Sequence, residues 1–443
     1  LWNELKPAIS LAQTKCSGSL TSIGVDTWGV DFALIDNYGE LLGNPHHYRD
    51  ARTEGVMEQL FKVVPKDEVY SRTGIQFMRL NTLYQLYSMV LRKSKVLASA
   101  SRFLMMPDLF NFWLSELAIS EFTDATTTQF HNPRKGQWDF ELLQKLNIRT
   151  DIFPEIVSPG TLLGKISSGL AAELNIDKEI SVAATACHDT AAAVAAAPLQ
   201  KSSSAYISSG TWSLVGAEVE KPVITERSLQ HNFTNEGGVF GKYRLLRNVQ
   251  GMWLVQECRR IWASQGKDFS YEELVQLATR SRPFTSFIDP DDQRFIAPAN
   301  MVEEILAYLV NTNQDRPKNE GELIRTILDS LALKYRKIIS HLEDLTGSKV
   351  DQISIVGGGS RNALLNQITA DVCDVDIIAG PAEATSVGNV LMQAVASKVI
   401  STHKELRSTV RNSTELRKHE PNPKIEVDDV YKRFMKVTEG GAP

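Results

Sequence analysis

Residues 352–379 read QISIVGGGSRNALLNQITADVCDVDIIA. Gln352 to Val356 is a short apolar run of strand length, and Ala363 to Cys373 repeats its apolar residues at helical spacing. Between them stand Gly357, Gly358 and Gly359, and Asp376 to Ala379 returns to a strand. Strand, glycine turn, helix and strand in succession mark an α/β chain. Bare N–H groups in such a turn suit a phosphate or a nucleotide. The same glycines begin a G-x-G-x-x-G of the dinucleotide-binding kind. However, Asn362 fills its sixth position, and Asp376 precedes its apolar run where a ribose-binding acid would end one. A nucleotide-contacting turn of another fold is the preferred reading, with a purely structural turn beside it.

The alternation extends outward in both directions. Ser204 to Ser208 and Trp212 to Val219 read as strands around Ser209-Gly210-Thr211, a turn rich in hydroxyls and backbone donors. Such a turn suits a phosphate oxygen, and it equally suits an ordinary hairpin. Near the start, Thr21 to Asp26 and Val30 to Asp36 read as strands around the tight turn Thr27-Trp28-Gly29. Helices are expected over Leu1–Gln13, Glu54–Val63, Leu80–Val96, Pro107–Leu117, Glu141–Leu146, Ala191–Ala197, Asn248–Trp262, Leu323–Thr346 and Ala384–Ala396. Ile180 to Thr185 is a further strand. Past about residue 410 the chain turns polar, with Pro421, Pro423 and a Gly-Gly-Ala-Pro end, and reads as peripheral.

A chain of 443 residues suggests two to four domains at ~100–200 residues each. The similar size of the halves puts a boundary between Leu199 and Ser204. A formal charge of −5 counts against nucleic acid as the main partner, and no apolar run approaches the ~20 residues of a membrane span. Cys16, Cys187, Cys258 and Cys373 form no C-x-x-C pair, which fits a reducing, cytoplasmic setting and argues against structural zinc.

His188-Asp189-Thr190 follows a strand and precedes an alanine-rich helix. Either Asp189 or Thr190 caps that helix, or Asp189 is a carboxylate base for a substrate hydroxyl. Asp26-Thr27-Trp28-Gly29-Val30-Asp31 sets two acids beside an aromatic plate, as a sugar site requires; a Trp28 that is simply core is the alternative. The charges of Tyr48-Arg49-Asp50-x-Arg52 make sense as a surface ion-pair network.

Together these pieces resemble the FGGY family of carbohydrate kinases. The stretches SIGVDTWGVDFALID, HYRDARTEG, GIQFMRLNTLYQL, ACHDTAAAVAA, AYISSGTWSLVG, TNEGG, LLRNVQGMWLVQE, SIVGGGSRNALLNQITADVC and AGPAEATSVGN occur in the family's order from about residue 20 to 395. DTWGVDF and HYRDARTEG are most similar to the branch acting on L-rhamnulose, with L-fuculose and other ketose kinases as neighbours. The resemblance implies an actin-like ATPase (ribonuclease H-like) fold of two α/β domains around a central cleft. It assigns 1–199 to an N-terminal sugar-binding domain, 200–400 to a C-terminal nucleotide-binding domain and 401–443 to a peripheral segment. It implies Asp189 as general base, Gly29, His188, Thr190 and Asn248 as further substrate contacts, and Thr211, Gln256 and Gly358 as nucleotide contacts. ATP and Mg²⁺ are the implied cofactors, and the chain is expected to act on small molecules as a monomer or weak homodimer. Such kinases begin with a strand carrying Asp-x-Gly and a Ser-rich phosphate turn, and none precedes residue 20 here. The sequence is therefore expected to lack one of two phosphate hairpins, which leaves a sugar-binding chain without turnover as an alternative.

Overall fold

The computed structural model describes residues 1–16, 20–201, 203–422 and 427–439; Pro423 and the terminal Gly440 to Pro443 lie outside them. The chain divides into two compact units. Unit 1 comprises Leu1–Ala196, Glu218–Leu245 and Thr385–Thr409; unit 2 comprises Ala197–Ala217, Leu246–Ala384 and Val410–Pro443.

Unit 1 opens with α1 (Trp2–Lys15), whose Ile9 enters a core with Val182 and Ala184. The expected strands flanking Trp28 are β1 (Ser22–Gly24) and β2 (Phe32–Ile35), but they do not form a hairpin. β1 pairs in parallel with Ser181–Ala184, with Gly24 opposite Ala183. β2 pairs antiparallel with Arg102–Met105, Phe32 facing Met105. All four β2 residues are buried, and a strand apolar on both faces needs cover on both sides. Phe32 and Leu34 find it in an aromatic core that includes Phe103, Phe130 and Trp138, and Ala33 and Ile35 in a second core with Leu104 and Leu109. The helix expected over Leu80–Val96 is broken. It runs Thr82–Leu91, then Lys93 adopts a φ of 50° and Ser94 caps a separate helix, Lys95–Ser99.

Unit 2 is built on β3 (Ser204–Ser209) and β4 (Trp212–Val219), a true antiparallel hairpin with Ser209 opposite Ser213. β5 (Gln352–Val356) lies parallel to β3, and β6 (Asp376–Ala379) parallel to β5. Helix α2 (Glu320–Thr346) packs on α3 (Ala363–Cys373).

Two expectations are corrected here. Asn248 is not helical: it lies in the strand Tyr243–Gln250, and the helix begins only at Trp253. Gly251 separates the two, where an added Cβ would stand 2.8 Å from the Ser213 nitrogen. The region past 400 is not merely peripheral either. Arg417–His419 adds an antiparallel strand beside β6, and Phe434 on the helix Val427–Glu439 is fully buried. All four cysteines are free. Among the described residues no helix is long and apolar enough to cross a membrane.

Candidate functional site

The site in unit 1 grows from the end of the strand Ser181–Ala184. The chain leaves it through Cys187 and His188, whose amides must find acceptors away from any ladder. Cys187 N–H donates to Glu121 Oε2 at 3.1 Å, and His188 N–H to Thr123 Oγ1 at 3.1 Å. Asp189 N–H donates to the Thr27 carbonyl at 2.8 Å, while Thr385 Oγ1 donates to the Asp189 carbonyl at 3.2 Å. Asp189 thus begins the helix Asp189–Ala195 with its backbone tied on both sides. His188 is the cap residue and no side chain caps the helix. The Asp189 carboxylate is therefore left for other chemistry.

Asp189 Oδ1 accepts from Thr190 Oγ1 at 3.1 Å and lies 3.4 Å from His188 Nε2. The carboxyl is pushed up to about 6, first by lost hydration, with Asp26 adding and Thr190 and Arg244 opposing. Its side chain nonetheless keeps 44% of its surface exposed, so a proton can reach it.

Gly29 comes to the same neighbourhood. A Cβ there would stand 3.0 Å from Thr127 Cγ2 and 3.3 Å from Asp124 Oδ1. The next residue, Val30, has a φ of 69°, a costly conformation for a β-branched side chain. It persists because Val30 N–H donates to Thr127 Oγ1 at 3.1 Å and its carbonyl accepts from Thr82 Oγ1 at 2.7 Å. Asp31 acts as a bracket: its Oδ2 accepts from Trp28 Nε1 at 2.8 Å and from Tyr48 N–H at 3.2 Å. Trp28 is half-buried against this bracket.

Unit 1 also holds site residues to which sequence reasoning gave no role. Arg244, with no exposed surface, donates from Nη2 to Glu236 Oε2 and to His188 Nδ1, both at 3.1 Å, and from Nε to the Gly237 carbonyl at 2.8 Å. Both carboxyl oxygens of Asp124 are buried without a hydrogen-bond partner. Burial first, then the charges of Asp108, Glu121 and Asp189, hold its carboxyl well above the ordinary range. The available signal for Arg244 was a cation directly before the apolar pair Leu245 and Leu246, since a buried charge requires partners. Asp124 gave no such signal.

Unit 2 holds the other expected residues, among them Asn248, half-buried on its strand. Thr211 Oγ1 donates to Gln256 Oε1 at 3.4 Å. The glycines after β5 form a tight turn, Gly358–Arg361, laid against the end of β3. A Cβ on Gly357 would stand 2.9 Å from the Ser209 carbonyl oxygen, and one on Gly359 2.0 Å from Ser209 Oγ, whereas Gly358 faces open space. Asn362 ends this turn and caps the N-terminus of α3, its Oδ1 accepting from Leu365 N–H. The helix end therefore offers less to an anion than the sequence suggested; the turn itself remains open.

Comparison with known proteins meets this geometry directly. Residues 1–196 match the N-terminal domain, and residues 205–397 the C-terminal domain, of the FGGY family of carbohydrate kinases. The chain is 40% identical over 395 residues to the rhamnulokinase of Oceanobacillus iheyensis, covering 89% of this chain and 83% of that protein. It is 40% identical over 416 residues to that of Bacteroides thetaiotaomicron, covering 94% and 85%. Among solved structures, a ligand-bound xylulose kinase from Lactobacillus acidophilus superposes with a TM-score of 0.81 at 16% identity, covering 98% of this chain and 87% of that one. Plasmodium falciparum glycerol kinase with ADP gives 0.72 at 16% identity, covering 95% and 83%. The fold is thus that of the sugar kinases, of the actin-like ATPase type. With both family domains matched along it, the chain belongs to the FGGY family of carbohydrate kinases.

Proposed function

We propose that this carbohydrate kinase transfers the γ-phosphoryl group of ATP to the C1 hydroxyl of L-rhamnulose, giving L-rhamnulose 1-phosphate and ADP. The observation that carries the reading is Asp189: a carboxyl raised to about 6, held by its backbone, uncommitted to capping and open to solvent. Asp189 takes the hydroxyl proton as the sugar oxygen forms its bond to phosphorus and the bond to the ADP oxygen breaks. Little else is asked of the protein, because phosphoryl transfer depends mainly on positioning and charge neutralisation. Gly29, His188, Thr190 and Asn248 contact the ketose; Thr211, Gln256 and Gly358 contact ATP. Magnesium carried on the nucleotide phosphates would neutralise phosphate charge. The acidic balance of the chain speaks for small molecules over nucleic acid as its partners; a cytoplasmic monomer or weak homodimer completes this reading.

A ketose panel with coupled ADP detection tests the assignment. L-Rhamnulose is expected to exceed L-fuculose and D-xylulose in kcat/KM, because a site built around hydroxyls rejects analogues that strand its polar groups. A tenfold preference for L-fuculose would move the assignment to that ketose, and no turnover with any ketose would overturn it.

The raised Asp189 value has a kinetic consequence. Only the deprotonated carboxylate accepts the proton, so kcat/KM, which follows the free enzyme, is expected to level off above about 6 and to fall roughly tenfold per pH unit below it. A flat profile down to the ordinary aspartate range would remove Asp189 from the base role.

Gly358→Val tests the nucleotide side cleanly. No protein atom stands within 4 Å of the added Cβ, so stability should change by less than about 0.5 kcal/mol. The KM for ATP should rise about tenfold where a nucleotide approaches that backbone. A rise in the ketose KM alone would contradict the assignment of the turn.

A further inference from the structure

We propose that Arg244 is a positioning residue for the reaction. It fixes His188 in the tautomer that carries its proton on Nε2, so that His188 is aimed at Asp189 Oδ1 and Oδ2 is left to take the sugar proton. The inference rests on the reading of Asp189 as the base.

A guanidinium only donates hydrogen bonds, and a neutral imidazole has one N–H and one lone pair. Arg244 Nη2 lies 3.1 Å from His188 Nδ1, so Nδ1 must present its lone pair. A proton there would set donor against donor. Glu236 Oε2, 3.5 Å from the same nitrogen, would favour the opposite tautomer, but it is farther away and already accepts from Nη2 at 3.1 Å. Arg244 cannot turn aside, because its Nε is tied to the Gly237 carbonyl at 2.8 Å and the side chain is wholly buried. Full protonation of His188 is opposed by burial and by the Arg244 charge. The remaining proton therefore sits on Nε2, 3.4 Å from Asp189 Oδ1. At this distance the pair is not aligned as a hydrogen bond, as catalytic contacts often are not before substrate binds. Thr190 Oγ1 donates to the same oxygen, so both donors converge on Oδ1.

Histidine ¹⁵N NMR of the wild-type protein reads the tautomer without any assay of activity. With the His188 signals identified by their loss in His188→Gln, Nδ1 is expected to be lone-pair type and Nε2 protonated, with no titration near the ordinary histidine value. A protonated Nδ1 would overturn the proposal, even if Arg244 variants proved unfoldable. Kinetics supply the second arm. Arg244→Met should lower kcat about 10- to 100-fold, the worth of a hydrogen bond to a charged group. It should also move the acid limb of kcat/KM to higher pH, since the Arg244 charge holds the Asp189 carboxyl down while burial and Asp26 push it up. Arg244→Lys should keep the limb in place without restoring kcat, because an ammonium lacks the fixed fork. Glutamine at 188 offers an amide N–H independent of tautomer, so Arg244→Met should cost less than about twofold further in that background. An equal loss in both backgrounds would mean that Arg244 acts only as scaffold and would refute the proposal. Absence of turnover in the wild type would instead remove the base reading, leaving the NMR result to stand alone.

Discussion

Asp189→Asn is expected to lower kcat by 10²–10⁴-fold, the usual worth of a general base, while ketose affinity stays within about threefold of wild type. The amide keeps an oxygen where Thr190 Oγ1 donates at 3.1 Å, and the backbone ties to Thr27 and Thr385 do not involve the side chain. What it loses is the ability to accept the hydroxyl proton at Oδ2. Calorimetry with L-rhamnulose and coupled ADP release separate the two properties. If the variant retained more than about a tenth of wild-type kcat, another group would have to serve as base. Equal loss of binding and turnover would mark Asp189 as a binding group alone.

Gly388→Ala is expected to cost about 3 kcal/mol, the upper range for overpacking, and to lower Tm by roughly 3–6 °C. The helix Ala384–Ala396 meets the helix Asp189–Ala195 here, and an added Cβ would lie 1.8 Å from the Ala192 carbonyl oxygen and 2.5 Å from its carbon. Backbone cannot swing away as a flexible side chain can, so the Asp189 helix must shift as a body and kcat should fall as well. Gly169→Ala is the control. It lies on the exposed face of the helix Ser168–Leu174 with nothing within 4 Å of the added methyl, and alanine there should stabilise by about 0.5–1 kcal/mol. Melting of Gly388→Ala together with wild type would show that the helices separate freely at this crossing.

The sequence by itself determined the elements whose signals are local. The strand Gln352–Val356, the helix Ala363–Cys373, the strand Asp376–Ala379 and the helix Ala384–Ala396 stand where periodicity and glycine punctuation put them. Ser209-Gly210-Thr211 does turn a hairpin. Asp189 was already visible as an acid between a strand and a helix, with its role as cap or base left open. Only the tertiary structure decided the partners. β2 leaves β1 for Arg102–Met105 because its apolar faces need a core on both sides, and no short-range pattern names that core. Asn248 falls on the strand Tyr243–Gln250 because that segment finds ladder partners in a sheet, which no local pattern names. The orientation of His188 is set by Arg244, 56 positions away, and the crossing at Gly388 by Ala192. Hydrogen-bond direction and backbone approach are properties of pairs brought together by folding, so neither can be read from one partner's place in the chain.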